Sequence, residues 1–169
     1  MPRLYLAWLC SMCLLVQAEA SWRHDLPDVQ PVGQGAMRWF GLKLYDAELY
    51  TPTGRFDQRA PHALRLRYAR SLKAERIVEA SLDQMQRLGA PAQSFPTWAK
   101  QMRRAFIDVD QGDTLTGVHL PGKGVRFYAG EQLTASIDDP EFARWFFAIW
   151  LDPATSEPGL RRQLIGEAR

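Results

Sequence analysis

Residues 141–151, Glu-Phe-Ala-Arg-Trp-Phe-Phe-Ala-Ile-Trp-Leu, are apolar nearly all the way round a helix. Such a helix has no face to offer water, so it must lie enclosed between layers. Asp139-Pro140 marks its start, with proline at the first helical position. The chain must therefore supply a wall for it, and the pattern elsewhere does. Leu64, Leu66 and Tyr68 alternate with Arg65, Arg67 and Ala69 as a half-buried strand. From Asp113 the period is again two. Leu115, Val118 and Leu120 lead into Pro121-Gly122-Lys123-Gly124, Val125 and Phe127 follow, and Ala129-Gly130 turns the chain into Leu133, Ala135 and Ile137. This reads as a three-stranded antiparallel meander.

Two helices separate the strand groups. Ser71 is placed to cap the first, whose apolar residues are Ala74, Ile77, Val78, Leu82, Met85 and Leu88, with Gly89-Ala90-Pro91 as its stop. Ser94 starts the second, with Phe95, Trp98, Met102 and Phe106 on one face. A last short helix runs from about Glu157 to Gly166. Strands, two helices, strands and two helices read as an α+β domain, an antiparallel sheet with helices on one face.

The first twenty residues stand apart. Arg3 precedes an apolar run from Leu4 to Val16, about 13 residues long, and Ala18-Glu19-Ala20 is an A-x-A signal before Ser21. The run is short of the roughly 20 apolar residues of a spanning helix. Residues 1–20 read as a cleaved signal peptide and 21–169 as one domain, periplasmic or secreted, with no stable membrane span after cleavage. Both cysteines, Cys10 and Cys13, fall in the leader, so the exported part has neither disulfide nor thiolate chemistry. Twenty-one Lys and Arg against nineteen Asp and Glu leave a net charge of +2, too balanced to point to nucleic acid.

The residues narrow the chemistry. His24, His62 and His119 lack ligand spacing, so no metal is expected. Asp108, Asp110 and Asp113 lack the glycine and terminal glutamate of a calcium loop. No G-x-S-x-G elbow is present, and Gly33-x-Gly35 has no third glycine to make a phosphate motif. The two glycines read as a tight turn or a close backbone approach. No cofactor is implied. What remains is the strand-like stretch Gly33–Tyr50, GQGAMRWFGLKLYDAELY, with Arg38 among apolar residues and Tyr45 seven positions on. A buried arginine needs a partner. Arg38 is then either a solvated edge charge or one wall of a ligand cavity, where it would fork onto a carboxylate or a polarised carbonyl.

Four segments together resemble the chalcone isomerase-like superfamily, and in particular its exported bacterial branch. They are Gly33-x-Gly35-x-x-Arg38, the strand Lys43 to Tyr50, Phe106-x-Asp108-Val109-x-x-Gly112-Asp113, and the helix Phe142-Ala143-x-x-Phe146-Phe147-x-Ile149-Trp150-Leu151. The resemblance runs from about Val29 to Gly166. It implies an open-faced β-sandwich, a large antiparallel sheet covered by helices.

Plant members close a flavanone by adding a phenolate to an enone, related plastid members bind fatty acids, and others act without catalysis. Of the isomerases' polar groups, Arg38 matches the arginine, and Tyr45 stands at the strand threonine. Lys73 and Ala80 fall at the helix tyrosine and asparagine, and Ile149 near the late threonine. Fatty-acid-binding members pair an arginine with a tyrosine of the same strand, a pattern Arg38 and Tyr45 fit. The resemblance thus implies a non-catalytic protein holding a small carboxylate or fatty-acyl ligand in the cleft between sheet and helices, through Arg38 and Tyr45. The alternatives are an isomerase (an intramolecular lyase) on an enone, with Arg38 and Tyr45 catalytic, and an envelope protein-interaction module using Trp39 and Phe40 as an exposed patch.

Overall fold

Six strands hydrogen-bond in chain order, each antiparallel to the next, in a computed structural model that describes residues 21–167. The leader expected over 1–20 lies outside the described residues. The strands are β1 (Gln30–Trp39), β2 (Leu42–Thr51), β3 (His62–Tyr68), β4 (Thr114–Leu120), β5 (Gly124–Ala129) and β6 (Gln132–Ile137). Helices α1 (Ala74–Arg87) and α2 (Phe95–Ala105) sit between β3 and β4, and α3 (Pro140–Leu151) and α4 (Pro158–Leu164) follow β6. This is the α+β open-faced arrangement expected, with its three-strand meander at β4–β6.

The stretch 33–50 is not one strand but a hairpin. Phe40 (φ 47°) and Gly41 (φ 77°) both occupy the left-handed region, the geometry of a tight two-residue turn. Glycine adopts it freely, and phenylalanine at a cost. Arg38 therefore pairs with Lys43, and Met37 with Tyr45, with a register shift between Met37 and Arg38. Arg38 and Tyr45 lie on neighbouring strands, which corrects the same-strand expectation. β2 pairs with β3 only from Tyr45–Tyr68 onward, with one further bond from the Ala69 N–H to the Leu44 carbonyl, so residues 38–43 project past the sheet.

Register assigns the faces. Met37, Tyr45, Ala47, Leu49, Leu64, Leu66, Tyr68, Leu115 and Phe127 point toward the helices and join one core with α1–α4. α3 is buried from Phe142 through Leu151 except for Arg144 and Trp145, as its all-round apolarity requires. Each fully buried Phe or Leu there is worth about 1.5–3 kcal/mol. Asp139 caps α3 by accepting from the backbone N–H groups of Glu141 and Phe142 at 2.9 and 3.0 Å. Ser71 does not cap α1. Its hydroxyl bonds Asp110 at 2.6 Å, and the Asp108 carboxylate takes the Ala74 N–H at 2.9 Å instead.

Gly33 and Gly35 provide the close approach foreseen for them. A Cβ at 33 would stand 2.0 Å from the Gln163 carbonyl oxygen and 2.7 Å from that of Leu164, so their absence lets α4 lie directly on β1. Among the described residues no α-helix covers the opposite face of the sheet; a short 3-10 helix at Trp22–His24 lies there instead. Trp22, wholly buried, and Leu26 cover part of it, over Ala63, Val118 and Tyr128. Asp25 anchors this segment by accepting from Arg126 and Tyr128.

Candidate functional site

Between the sheet and helices α1 and α3 lies a cleft of about 1110 Å³. It is slightly larger than the roughly 300–1,000 Å³ of ligand clefts, roomy enough for an acyl chain. The sheet contributes Met37, Tyr45, Leu64, Leu66, Tyr68, Leu115 and Phe127, and the helices contribute Ile77, Ser81, Phe146, Ile149 and Trp150. Its rim is built from exposed lining residues: Trp39 of the hairpin, Arg70, Arg76, Glu79, Asp83 and Ser156. The floor beneath is closely packed. Gly117 faces Phe127, Phe146 and Phe147, and a Cβ there would meet their rings at 3.3 to 3.5 Å. A shallower depression of about 560 Å³ between β1 and α4 is walled by Asp46, Glu48, Arg67 and Gln163. It is an open, charged surface without the apolar enclosure of the larger cleft.

Few polar groups face the apolar cleft, and two of them form a pair. Tyr45 and Tyr68 are opposite one another across β2 and β3, their rings edge to face with centroids 5.8 Å apart. The Tyr45 hydroxyl accepts from the Trp150 indole N–H at 3.0 Å. Among the described residues the Tyr68 hydroxyl has no hydrogen-bond partner, though the residue is only 3% exposed. Burial pushes the Tyr45 phenol up to about 12, against the Trp150 bond that favours the phenolate and with the Glu157 charge adding to the rise. Burial, then the neighbouring Tyr45, drives Tyr68 higher still. Both are neutral hydroxyls at any physiological pH, able to donate into the cleft but not to act as bases. The Ser81 hydroxyl is spent on the Ile77 carbonyl at 2.8 Å.

The two expected site residues separate here. Tyr45 lines the cleft. Arg38 is exposed on the projecting hairpin, outside the lining, its Nη1 donating to the Gly41 carbonyl at 3.4 Å. The turn at Phe40-Gly41 and the register shift beside Arg38 carry it past the rim. Of the other aligned positions, Ala80 and Ile149 line the cleft, whereas Lys73 is exposed and ion-paired to Asp108 at 2.7 Å. Sequence reasoning passed over Tyr68 and Trp150 as site residues. Tyr68 shares the inward parity of Leu64 and Leu66, a signal that marked it as interior but not as opposite Tyr45.

A second polar group is buried at the other end of the same face. His62 and His119 are cross-strand neighbours with ring centroids 4.6 Å apart, packed on Phe147. The Nδ1 of His62 bonds the Ala60 carbonyl at 2.9 Å, and burial, reinforced by His119, pushes His62 down to about 3. Among the described residues no group of three or more His, Cys, Asp or Glu is placed to hold a metal ion.

A family model described as chalcone isomerase-like matches residues 27–166. No curated protein matches the sequence. Among solved structures, the crystal structure of a fatty-acid binding protein of Arabidopsis thaliana superposes with a TM-score of 0.62 at 11% identity, covering 87% of this chain and 90% of that one. The likeness spans most of both chains, and at that identity it speaks for the fold alone.

Proposed function

The chain belongs to the chalcone isomerase-like family, and from that premise we propose that it is a non-catalytic binder of a fatty-acyl or other small carboxylate ligand. The observation that carries this reading is the cleft of about 1110 Å³, whose apolar wall carries the paired hydroxyls of Tyr45 and Tyr68 inside a polar, charged rim. Burying an acyl tail among Leu64, Leu66, Leu115, Phe127 and Phe146 is favourable by about 0.8 kcal/mol per methylene. The acid group needs donors, because an unpaired buried carboxylate is costly. Tyr68 has a free hydroxyl to give, and Tyr45 can give its proton while still accepting from Trp150. The fatty-acid binding of the Arabidopsis protein supports the same ligand class. Arg38 enters the reading only through a movement of the hairpin, so Tyr45 and Tyr68 are the residues on which we rest the head-group contact. Working in the periplasm or outside the cell is part of the proposal, supported by the leader pattern at 1–20. An N-terminus at Ser21 in protein from the exported fraction is the expected result.

Native mass spectrometry of protein purified from its own host tests the binding. A co-purifying acid of fatty-acyl mass is expected, with its occupancy reduced in Tyr68→Phe. Repeated empty spectra, together with no displacement of a fluorescent fatty acid in solution, would overturn it.

The pair of neutral phenols also favours a second reading, since such donors in an apolar site stabilise charge developing on an enone oxygen. That isomerase would consume chalcone absorbance faster than buffer does and would lose the excess in Tyr45→Phe. A rate equal to buffer from about pH 6 to 9 excludes it for that substrate.

A further inference from the structure

The hairpin tip has a composition that the cleft does not explain. Trp39, Phe40 and Leu42 are 63%, 88% and 55% exposed at the far end of a segment that already projects beyond β3. Phe40 holds a left-handed backbone in a two-residue turn where asparagine, aspartate or glycine would sit without strain. The most exposed large apolar side chain among the described residues is thus a phenyl ring kept at a backbone cost. Its neighbours are cations. From Arg38 to Leu44 the chain carries Arg38 and Lys43 and no acid, and the two pair across the strands just behind the apolar tip. Arg38 has no carboxylate partner among the described residues, and Lys43 leans back on Asp46 at 2.6 Å.

Apolar residues at the point, with a tryptophan and cations one step behind, match the depth profile of a bilayer interface. The three side chains expose roughly 400 Å², about half of what one partner gives to a stable protein interface. A lipid surface demands no such matched area. No helix among the described residues is long and apolar enough to cross a membrane, so the contact would be peripheral. Trp39 belongs both to the tip and to the rim of the cleft.

We propose that the β1–β2 hairpin tip docks the protein on an anionic lipid surface. Trp39, Phe40 and Leu42 enter the boundary between headgroups and acyl chains, and Arg38 and Lys43 meet lipid phosphates. Docking brings the cleft rim to the bilayer. The lipid contact stands on the tip's own chemistry. Its use, taking up or releasing an acyl ligand without crossing water, rests on the binding reading above.

Vesicles of phosphatidylcholine, with and without phosphatidylglycerol and brominated on their acyl chains, are mixed with wild-type protein and with Trp39→Phe. The difference between the two emissions reports Trp39 alone, so any other segment that touches lipid does not enter. On anionic vesicles this difference signal is expected to be quenched and blue-shifted. Arg38→Gln weakens vesicle affinity by about fivefold at low salt and less at high salt. Phe40→Ser with Leu42→Ser abolishes the quenching while leaving the melting temperature within error. An unquenched Trp39 signal at every lipid concentration overturns the proposal. So does self-association that the serine variant abolishes while vesicles leave Trp39 unquenched, since it would give the tip to a second copy. Displacement of a fluorescent fatty acid in vesicle-free buffer is read separately. If that fails while Trp39 is quenched, the ligand reading falls and the docking stands, and the reverse result removes the docking alone.

Discussion

Tyr45→Phe and Tyr68→Phe delete the same atom from neighbouring positions of one wall, and the structure gives them different consequences. Without the Tyr45 hydroxyl, the Trp150 indole N–H loses its acceptor at 3.0 Å in a residue that is 8% exposed. An unsatisfied buried donor costs about 1–3 kcal/mol, and some solvent access places Trp150 in the lower part of that range. In a domain of this size each kcal/mol lowers the melting temperature by about 2–4 °C. Tyr45→Phe should therefore melt about 2–6 °C below wild type in a calorimeter. The Tyr68 hydroxyl gives up no partner among the described residues, so Tyr68→Phe should melt at or slightly above wild type. Ligand binding separates them in the other direction. Each hydroxyl that donates to a carboxylate is worth about 1.5–3 kcal/mol, so displacement of a fluorescent fatty acid should weaken by about tenfold to a hundredfold in Tyr68→Phe, with no loss of fold. A Tyr68→Phe protein as destabilised as Tyr45→Phe would refute the reasoning, because the Tyr68 hydroxyl would then have an internal partner and would not be open to the cleft.

The glycines of β1 should differ in their tolerance of a methyl group. In Gly33→Ala the new Cβ meets backbone oxygens of α4 and must displace the helix with Leu160 and Leu164, an overpacking that costs about 1–3 kcal/mol or more. Gly35→Ala meets the flexible ends of Gln163 and Leu160 and should cost less, an order that urea unfolding of the two variants would check. The His62 ring, near 3 in the fold and 6.5 when unfolded, binds its proton more readily in the unfolded chain. Stability should then fall as the pH drops below about 6.5, by up to about 1.4 kcal/mol per pH unit. The slope between about pH 6.5 and 5, above the carboxylate range, should shrink in His62→Gln, with His119 supplying what remains. Phe40→Asn should leave the melting temperature unchanged or raised, since asparagine tolerates φ 47° better than phenylalanine does.

Elements whose signals are local were legible. The all-round apolar α3 with Asp139 at its cap, the period-two meander of β4 to β6 and the helix stop at Gly89 are each written within a few consecutive residues. The turn at Phe40-Gly41 was not, because Trp-Phe-Gly-Leu carries none of the Asn-Gly or Asp-Gly chemistry that marks a hairpin. Missing that turn put Arg38 and Tyr45 on one strand and so in one site. Pairings that depend on register were hidden for a general reason. Nothing within β2 or β3 alone says that Tyr45 faces Tyr68, and nothing in β3 or β4 alone says that His62 meets His119. The capping of α1 by Asp108, from a segment thirty-four residues away, was likewise beyond local pattern.

The β1–β2 hairpin is a cantilever. Its root is held on one side by α4, seated on Gly33 and Gly35, and on the other by β3, whose pairing ends at Tyr45. Beyond the register shift at Met37/Arg38 no third strand pairs with the beam among the described residues, and the Ala69 N–H to Leu44 carbonyl bond is the last tie to the sheet. Bending there moves Trp39 at the rim while Ala47, Leu49 and the aromatic floor keep their places. Amide exchange along β2 should accordingly slow in steps from Leu42 to Leu49, fastest at the free end and near the global rate at the root. The width of the mouth is then a property of about six residues at one end of a lever, adjustable by evolution or by a lipid surface without any change to the core that fixes the rest of the cleft.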